Sequence, residues 1–182
     1  LIHLAGLSRP MQIHEKKIDI SIRLNIIGTS NVVLACSKLN IKIIYFSTCY
    51  VYPGTKGNYK ETDPLLPKNN YSWSKLGGEC AVKMYNNSLI LRVSMTEKPF
   101  VHKQAFANIN TNFIFHDEFV TILKKVMHKK GIIDVGGKSQ SVFNFAKKYN
   151  KNVKKKFLKK KNNFKVPINS SMNLRKLNKI IK

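Results

Sequence analysis

Residues 71–79 read YSWSKLGGE, and two features of this stretch organise the rest of the chain. Tyr71 and Lys75 lie four residues apart, which on an α-helix stacks their side chains on one face with Cβ atoms about 5–6 Å apart. Gly77 and Gly78 follow, although glycine is a poor helix former. An ammonium beside a phenol favours the phenolate. The pair is therefore expected to draw Tyr71 down from its ordinary value of about 10 and make it a general acid for a carbonyl oxygen. The same spacing also arises by chance in basic helices, so the flanking elements must decide.

Upstream, Ile41–Ser47 (IKIIYFS) is β-branched and aromatic, the pattern of a buried strand. Downstream of a predicted helix over 71–85, Ser88–Val93 (SLILRV) reads as a second buried strand. Leu1–Gly6 reads as a short strand entering a glycine turn. Between them Ile18, Ile22, Ile26, Val33 and Leu34 set a helical stripe over 18–39. Strands alternating with helices predict right-handed βαβ units and a parallel sheet, hence an α/β fold. Ser47 and Thr48 then fall at the carboxyl end of a parallel strand, where open α/β sheets bind ligands. Local backbone bonding by those hydroxyls is the simpler alternative.

Beyond Ser94 the pattern loosens. A helix is expected over 117–129, a strand over 132–135, and helices over 142–149 and 172–181. The lysine-dense 147–161 reads as a solvated helix face or surface segment. The division expected is residues 1–94 as a dinucleotide-binding part, and 95–182 as a substrate lobe with a basic helical tail.

Composition narrows the class. The 182 residues carry a formal charge of +24, but only four of the 33 basic residues are arginine. An excess of Lys, Asn and Ile follows from A/T-rich coding, and nucleic-acid readers favour arginine for bidentate contacts. A nucleic-acid partner is therefore not expected. No run of about 18 apolar residues points to a membrane span, and no signal peptide is read, so a cytoplasmic location is expected. Cys36, Cys49 and Cys80 form no disulfide frame, and neither they nor the five dispersed histidines form a metal cluster.

The segment FSTCYVYPGTKGNYKETDPLLPKNNYSWSKLGGE (46–79) resembles the middle of the extended short-chain dehydrogenase/reductases that act on nucleotide sugars, the NAD-dependent epimerase/dehydratase family. IHLAG (2–6) and NIIGTSN (25–31) are similar to that family's fourth strand and Asn-x-x-Gly-Thr helix segment, and the likeness extends loosely to about residue 146. It implies a Rossmann-like sheet with a small α/β substrate lobe, and Tyr71 as acid/base. Lys75 would hold the nicotinamide ribose, and Thr48 would polarise a sugar carbonyl. Ala5, Gly6, Asn25 and Ser47 would lie along the cofactor (NADP or NAD, with NADPH favoured), and Cys49 and Tyr50 at the substrate. Dehydratases carry Asp-Glu after the threonine. Cys49-Tyr50 stands here, so a dehydratase is not expected. The Ser-Thr-x-Tyr-Val-aromatic-x-Gly order (47–54) and the Tyr-x-Glu-x-Asp that follows (59–63) resemble the dTDP-4-dehydrorhamnose reductase-like branch, with a 4-epimerase or a non-catalytic binding module as alternatives. Cys49 is either an active-site thiol or a small buried residue. The resemblance leaves room for a homodimer.

The family's Gly-x-x-Gly-x-x-Gly turn, which places backbone N–H groups against the pyrophosphate, has no counterpart in residues 1–182. The expectation is an N-terminally truncated chain, lacking the first βα units, that binds NAD(P)H weakly or not at all. Fluorescence titration of purified residues 1–182 with NADPH checks this, and micromolar affinity would contradict it.

Overall fold

The computed structural model describes residues 1–159 and 166–182. The chain begins with β1 (Ile2–His3) and α1 (Met11–Lys16). It continues through α2 (Ile18–Ile22), a π-helical turn (Arg23–Ile27) and α3 (Gly28–Lys38) as one nearly continuous helix. β2 (Ile43–Thr48) runs into a 3-10 turn (Cys49–Val51), and a long loop leads to α4 (Asn70–Lys83) and β3 (Ser88–Val93). Short strands follow: β4 (Met95–Thr96), β5 (Gln104–Phe106), β6 (Asn110–Thr111) and β7 (Ile114–Phe115). The chain closes with α5 (His116–Val126), β8 (Gly131–Val135), β9 (Gln140–Ser141), α6 (Val142–Tyr149), β10 (Lys154–Lys156) and α7 (Arg175–Ile181).

Four strands form the main sheet in the order β1-β2-β3-β8, all parallel. Every residue of β2 and β3 is buried, as strands covered on both faces require. Their side chains alternate between two cores. Ile44, Phe46, Leu89 and Leu91 pack with Phe119 and Val126 of α5 and Leu177 of α7. Ile43, Tyr45 and Ile90 pack with Val33 and Cys36 of α3 and Val82 of α4. Helices on both faces make this a doubly wound Rossmann-type sheet. β1 forms one edge, where Leu1, Ile2 and Leu4 are exposed.

Three sequence expectations change. The division at 94–95 does not separate the sheets, because β8 returns to the main one: Val93 pairs with Val135, and the apolar residues of β8 complete its core. The lysine-dense segment is not a continuous helix face, since β10 pairs in parallel with β5; its residues 160 and 161 lie outside the described residues. The stripe of the 18–38 helix also faces differently. Ile18, Ile22 and Leu34 are exposed, while Ser21, Asn25, Thr29, Val33 and Cys36 turn inward.

The reason is polar. Ser21 and Thr29 hydrogen-bond the buried histidines His14 (2.7 Å) and His3 (3.1 Å), and Asn25 holds the backbone of Leu7. Buried polar groups must be satisfied, so the face that meets them carries donors and acceptors. By length and composition alone the helix Ile18–Lys38 is long and apolar enough to cross a membrane, in contrast to the sequence reading. Its inward face nevertheless packs on α4, where a Cβ on Gly77 would meet Ile26 Cδ1 at 2.8 Å.

Candidate active site

β2 delivers Ser47 and Thr48 to the carboxyl edge of the sheet, both buried, and the 3-10 turn bends the chain sharply after them. Thr48 caps that turn, its side chain accepting the Tyr50 N–H at 3.3 Å. α4 starts under an Asn69 cap, whose side chain accepts the Ser72 N–H at 2.9 Å. Tyr71 therefore lies in the first turn of α4 and Lys75 one turn on. The Thr48 side chain lies close enough to the Tyr71 phenol to act on its proton affinity, so the hydroxyl and the phenol read separately from sequence meet in space.

The electrostatics differ from the sequence expectation. Burial pushes the Tyr71 phenol up to about 12, with the nearby Thr48 side chain acting against it. Lys75 does not draw the phenol down, because its ammonium sits 4.2 Å from the centre of the Tyr45 ring. Burial lowers Lys75 itself to about 8, opposed by the charge of Glu79 one turn further along α4. Among the described residues no hydrogen-bond acceptor is found for the Lys75 ammonium.

Asn25 links the two halves of the site. Its Nδ2 donates to the Leu7 carbonyl and to Ser74 Oγ of α4, both at 2.8 Å, and its Oδ1 accepts the Leu7 N–H at 2.7 Å. Ala5 and Gly6 form the exposed turn it holds. Gly6 has φ +156°, and a Cβ there would meet Asn25 Oδ1 at 3.0 Å. Among the described residues Ser47 Oγ, which is buried, has no hydrogen-bond partner.

Cys49 and Tyr50 divide. Cys49 is buried, its Sγ 3.7 Å from Ser170 Oγ in a cluster with Val51, Tyr52, Tyr59 and Met172. Burial pushes this thiol up, which keeps it protonated and favours the small-buried-residue reading over an active-site thiolate. Tyr50 is half-buried, and the charges of Arg9 and Tyr71 reach it. Trp73 is 50% exposed on the outer side of α4.

Several residues escaped the sequence reading. Arg9, ion-paired with Glu97, places a cation beside Tyr71 and Tyr50. His14 packs edge-on against the Tyr71 ring at 5.1 Å. Ser94, Thr111 and Ser170 form a hydroxyl cluster next to Cys49. For Arg9 the signal was its rarity among so many lysines. His14 becomes visible only once α1 packs on α4, and the hydroxyl cluster only once strands of the second half meet the first.

The glycines of α4 now have a physical reason. A Cβ on Gly78 would come within 2.6 Å of both the Asn25 carbonyl and Tyr45 Oη, and the latter is fixed by donation to the Lys75 carbonyl at 2.9 Å. Alanine is the better helix former by about 1 kcal/mol, but a backbone oxygen cannot swing away. Gly78→Ala is expected to lower stability by about 1–3 kcal/mol, read as a reduced urea midpoint at unchanged slope.

A doubly wound parallel sheet with a Thr-Tyr-Lys constellation at its carboxyl edge defines the short-chain dehydrogenase/reductase class. Comparison with known proteins narrows this. The family model described as the RmlD substrate binding domain matches residues 1–114, and the chain belongs to that family. Its fold is similar to the hypothetical dTDP-4-dehydrorhamnose reductase of Sulfolobus tokodaii, with a TM-score of 0.86 and 27% identity over 98% of this chain and 72% of that one. It is also similar to the dTDP-4-dehydrorhamnose reductase of Bacillus anthracis in complex with NADP (TM-score 0.84, 25% identity, 97% of this chain and 72% of that one). Among curated proteins it is 33% identical over 94 residues to the methionine adenosyltransferase 2 subunit beta of Pongo abelii. That match spans 51% of this chain and 28% of the relative.

Proposed function

We propose that the chain carries the proton-handling part of an NAD(P)-dependent reductase of a nucleotide-linked 4-keto sugar. The observation that carries this reading is the proximity of the Thr48 side chain to the Tyr71 phenol at the carboxyl edge of the sheet, with Lys75 one helical turn away. Support comes from the structural neighbours, two of them dTDP-4-dehydrorhamnose reductases and one of these in complex with NADP.

The residues present fit the nicotinamide-ribose end of such a cofactor. Among the described residues Lys75 offers an ammonium without an acceptor and Ser47 Oγ is buried and unpartnered, and the adjacent Ala5–Gly6 turn is exposed. When bound, the reduced nicotinamide supplies the hydride for the keto carbon. Thr48 donates to the sugar carbonyl oxygen and holds it beside Tyr71. Tyr71 Oη then gives its proton to the developing alkoxide, and a phenol pushed up to about 12 keeps that proton at neutral pH. The Lys75 ammonium is placed to hold the nicotinamide ribose hydroxyls. Arg9 and the basic surface attract the sugar nucleotide's phosphates. Activity is tested on the full gene product by NADPH oxidation with dTDP-linked 4-keto sugars; a protein that binds both without turnover would refute the reading.

One observation favours a second reading. The curated relative is named a subunit of a methionine adenosyltransferase, so a chain of this family can serve as part of another enzyme. In that case the site binds without turning over. The same assay separates the two.

A further inference from the structure

Behind the Thr-Tyr-Lys constellation lies a buried ionic cluster that the chemistry above does not use. Arg92 projects from β3, in register with Ser47 on β2, and is 2% exposed. Its Nη2 donates to Glu79 Oε1 at 2.6 Å, and its Nε donates to both Glu79 oxygens at 3.1 and 3.3 Å. Its Nη1 donates to Tyr52 Oη at 2.8 Å and to the Glu61 carbonyl at 3.2 Å. Tyr52 Oη donates in turn to the Asp134 carboxyl on β8, 2.9 Å from each oxygen, and the Tyr52 ring stacks on Tyr59. Glu79, Tyr52 and Asp134 are all buried.

A buried ion pair stabilises little compared with an apolar packing of equal volume, so its retention calls for another reason. Position supplies one. Glu79 lies one turn beyond Lys75 on the helix that carries Tyr71, and Tyr52 closes the 3-10 turn that Thr48 opens. An apolar contact would press α4 and that turn onto the sheet without fixing their relative placement. A planar guanidinium with directional donors to both fixes it.

We propose that the Glu79–Arg92–Tyr52 relay is the positioning element of the site, fixing α4, which carries Tyr71 and Lys75, against the 3-10 turn that Thr48 opens. This rests on the reductase reading for its catalytic meaning, though not for its geometry. The titratable groups around Lys75 are Glu79 and Tyr71 on its own helix, Tyr45 from β2 and His3 from β1. Of these only Glu79 brings a negative charge at neutral pH, and it raises the lysine while burial lowers it.

The test uses the ligand-free full chain and two mild variants. In protein labelled with 13C-lysine, one ammonium titrates near pH 8, assigned by its loss in Lys75→Arg. Glu79→Gln is expected to move that midpoint about one pH unit lower. In protein labelled at tyrosine Cζ, Tyr52→Phe is expected to shift the Tyr71 resonance as Tyr71 moves relative to Thr48, while far-UV circular dichroism stays unchanged. With turnover, Tyr52→Phe is expected to lower kcat about tenfold at near-constant KM. An unmoved Lys75 midpoint in Glu79→Gln, or an unmoved Tyr71 resonance in folded Tyr52→Phe, overturns the proposal. Absence of turnover in the unmutated protein counts against the reductase reading alone, because the two spectroscopic arms still decide the relay.

Discussion

Replacing Tyr71 with phenylalanine is expected to lower kcat for 4-keto sugar reduction about 100- to 10,000-fold in the full gene product, the usual contribution of a positioned proton donor. The change removes one hydroxyl, leaves the ring against His14, and spares Thr48 and Lys75. KM is expected to move little, since binding contacts remain. The pH profile supplies a second signature. Burial lowers Lys75 to about 8, so the lysine is charged below that pH and neutral above it. Rates are therefore expected to fall above about pH 8. Tyr71, pushed up to about 12, keeps its proton through that range and adds no second alkaline limb there. A Tyr71→Phe variant with unchanged kcat would remove the assignment of Tyr71 as proton donor.

Arg92→Leu is expected to have the largest effect on stability. It leaves the Glu79 carboxylate buried without its cation and takes the donor away from Tyr52. Breaking a buried pair by deleting one partner costs about 3–5 kcal/mol, and for a chain of this size that lowers Tm by about 6–20 °C. The double variant Glu79→Leu/Arg92→Leu is expected to recover most of the loss, because no lone charge then remains in the core. Thermal denaturation of the two single variants and the double variant closes the cycle. If Arg92→Leu melted within 2 °C or so of the parent, the pair would not be the desolvated contact described.

The backbone alternation was legible because it rests on local pattern. Ser88–Val93 and Val142–Tyr149 fall where the sequence put them, and β2 and α4 lie within two residues of their predicted ends. Short runs of β-branched residues between helices admit few other readings. The inward face of the 18–38 helix was not legible. Its isoleucines look like a core stripe, yet Ser21, Asn25 and Thr29 take that place. Hydrophobicity ranks residues one at a time, whereas a buried His3, His14 and Leu7 backbone demand hydrogen-bonding partners that no periodicity announces. Short strands such as β4 and β7 escaped because two residues carry no period.

By itself the sequence determined the α/β alternation, the family likeness and the residue types of the site, Thr48, Tyr71 and Lys75 with Asn25 behind them. The alternation and the Tyr71–Lys75 pair follow from spacing along the chain, and the roles of Thr48 and Asn25 from the resemblance. Only the tertiary structure decided what each of them feels. It placed the Lys75 ammonium over Tyr45 and not against the Tyr71 phenol, so burial and not the lysine sets the phenol's proton affinity. It buried Cys49 against Ser170, 121 positions away in sequence. It also brought Glu79, Arg92, Tyr52 and Asp134 from four separate elements into one cluster. The reason is that desolvation and charge act through space over a few ångströms, and those distances exist only once β3 and β8 close the sheet behind the site.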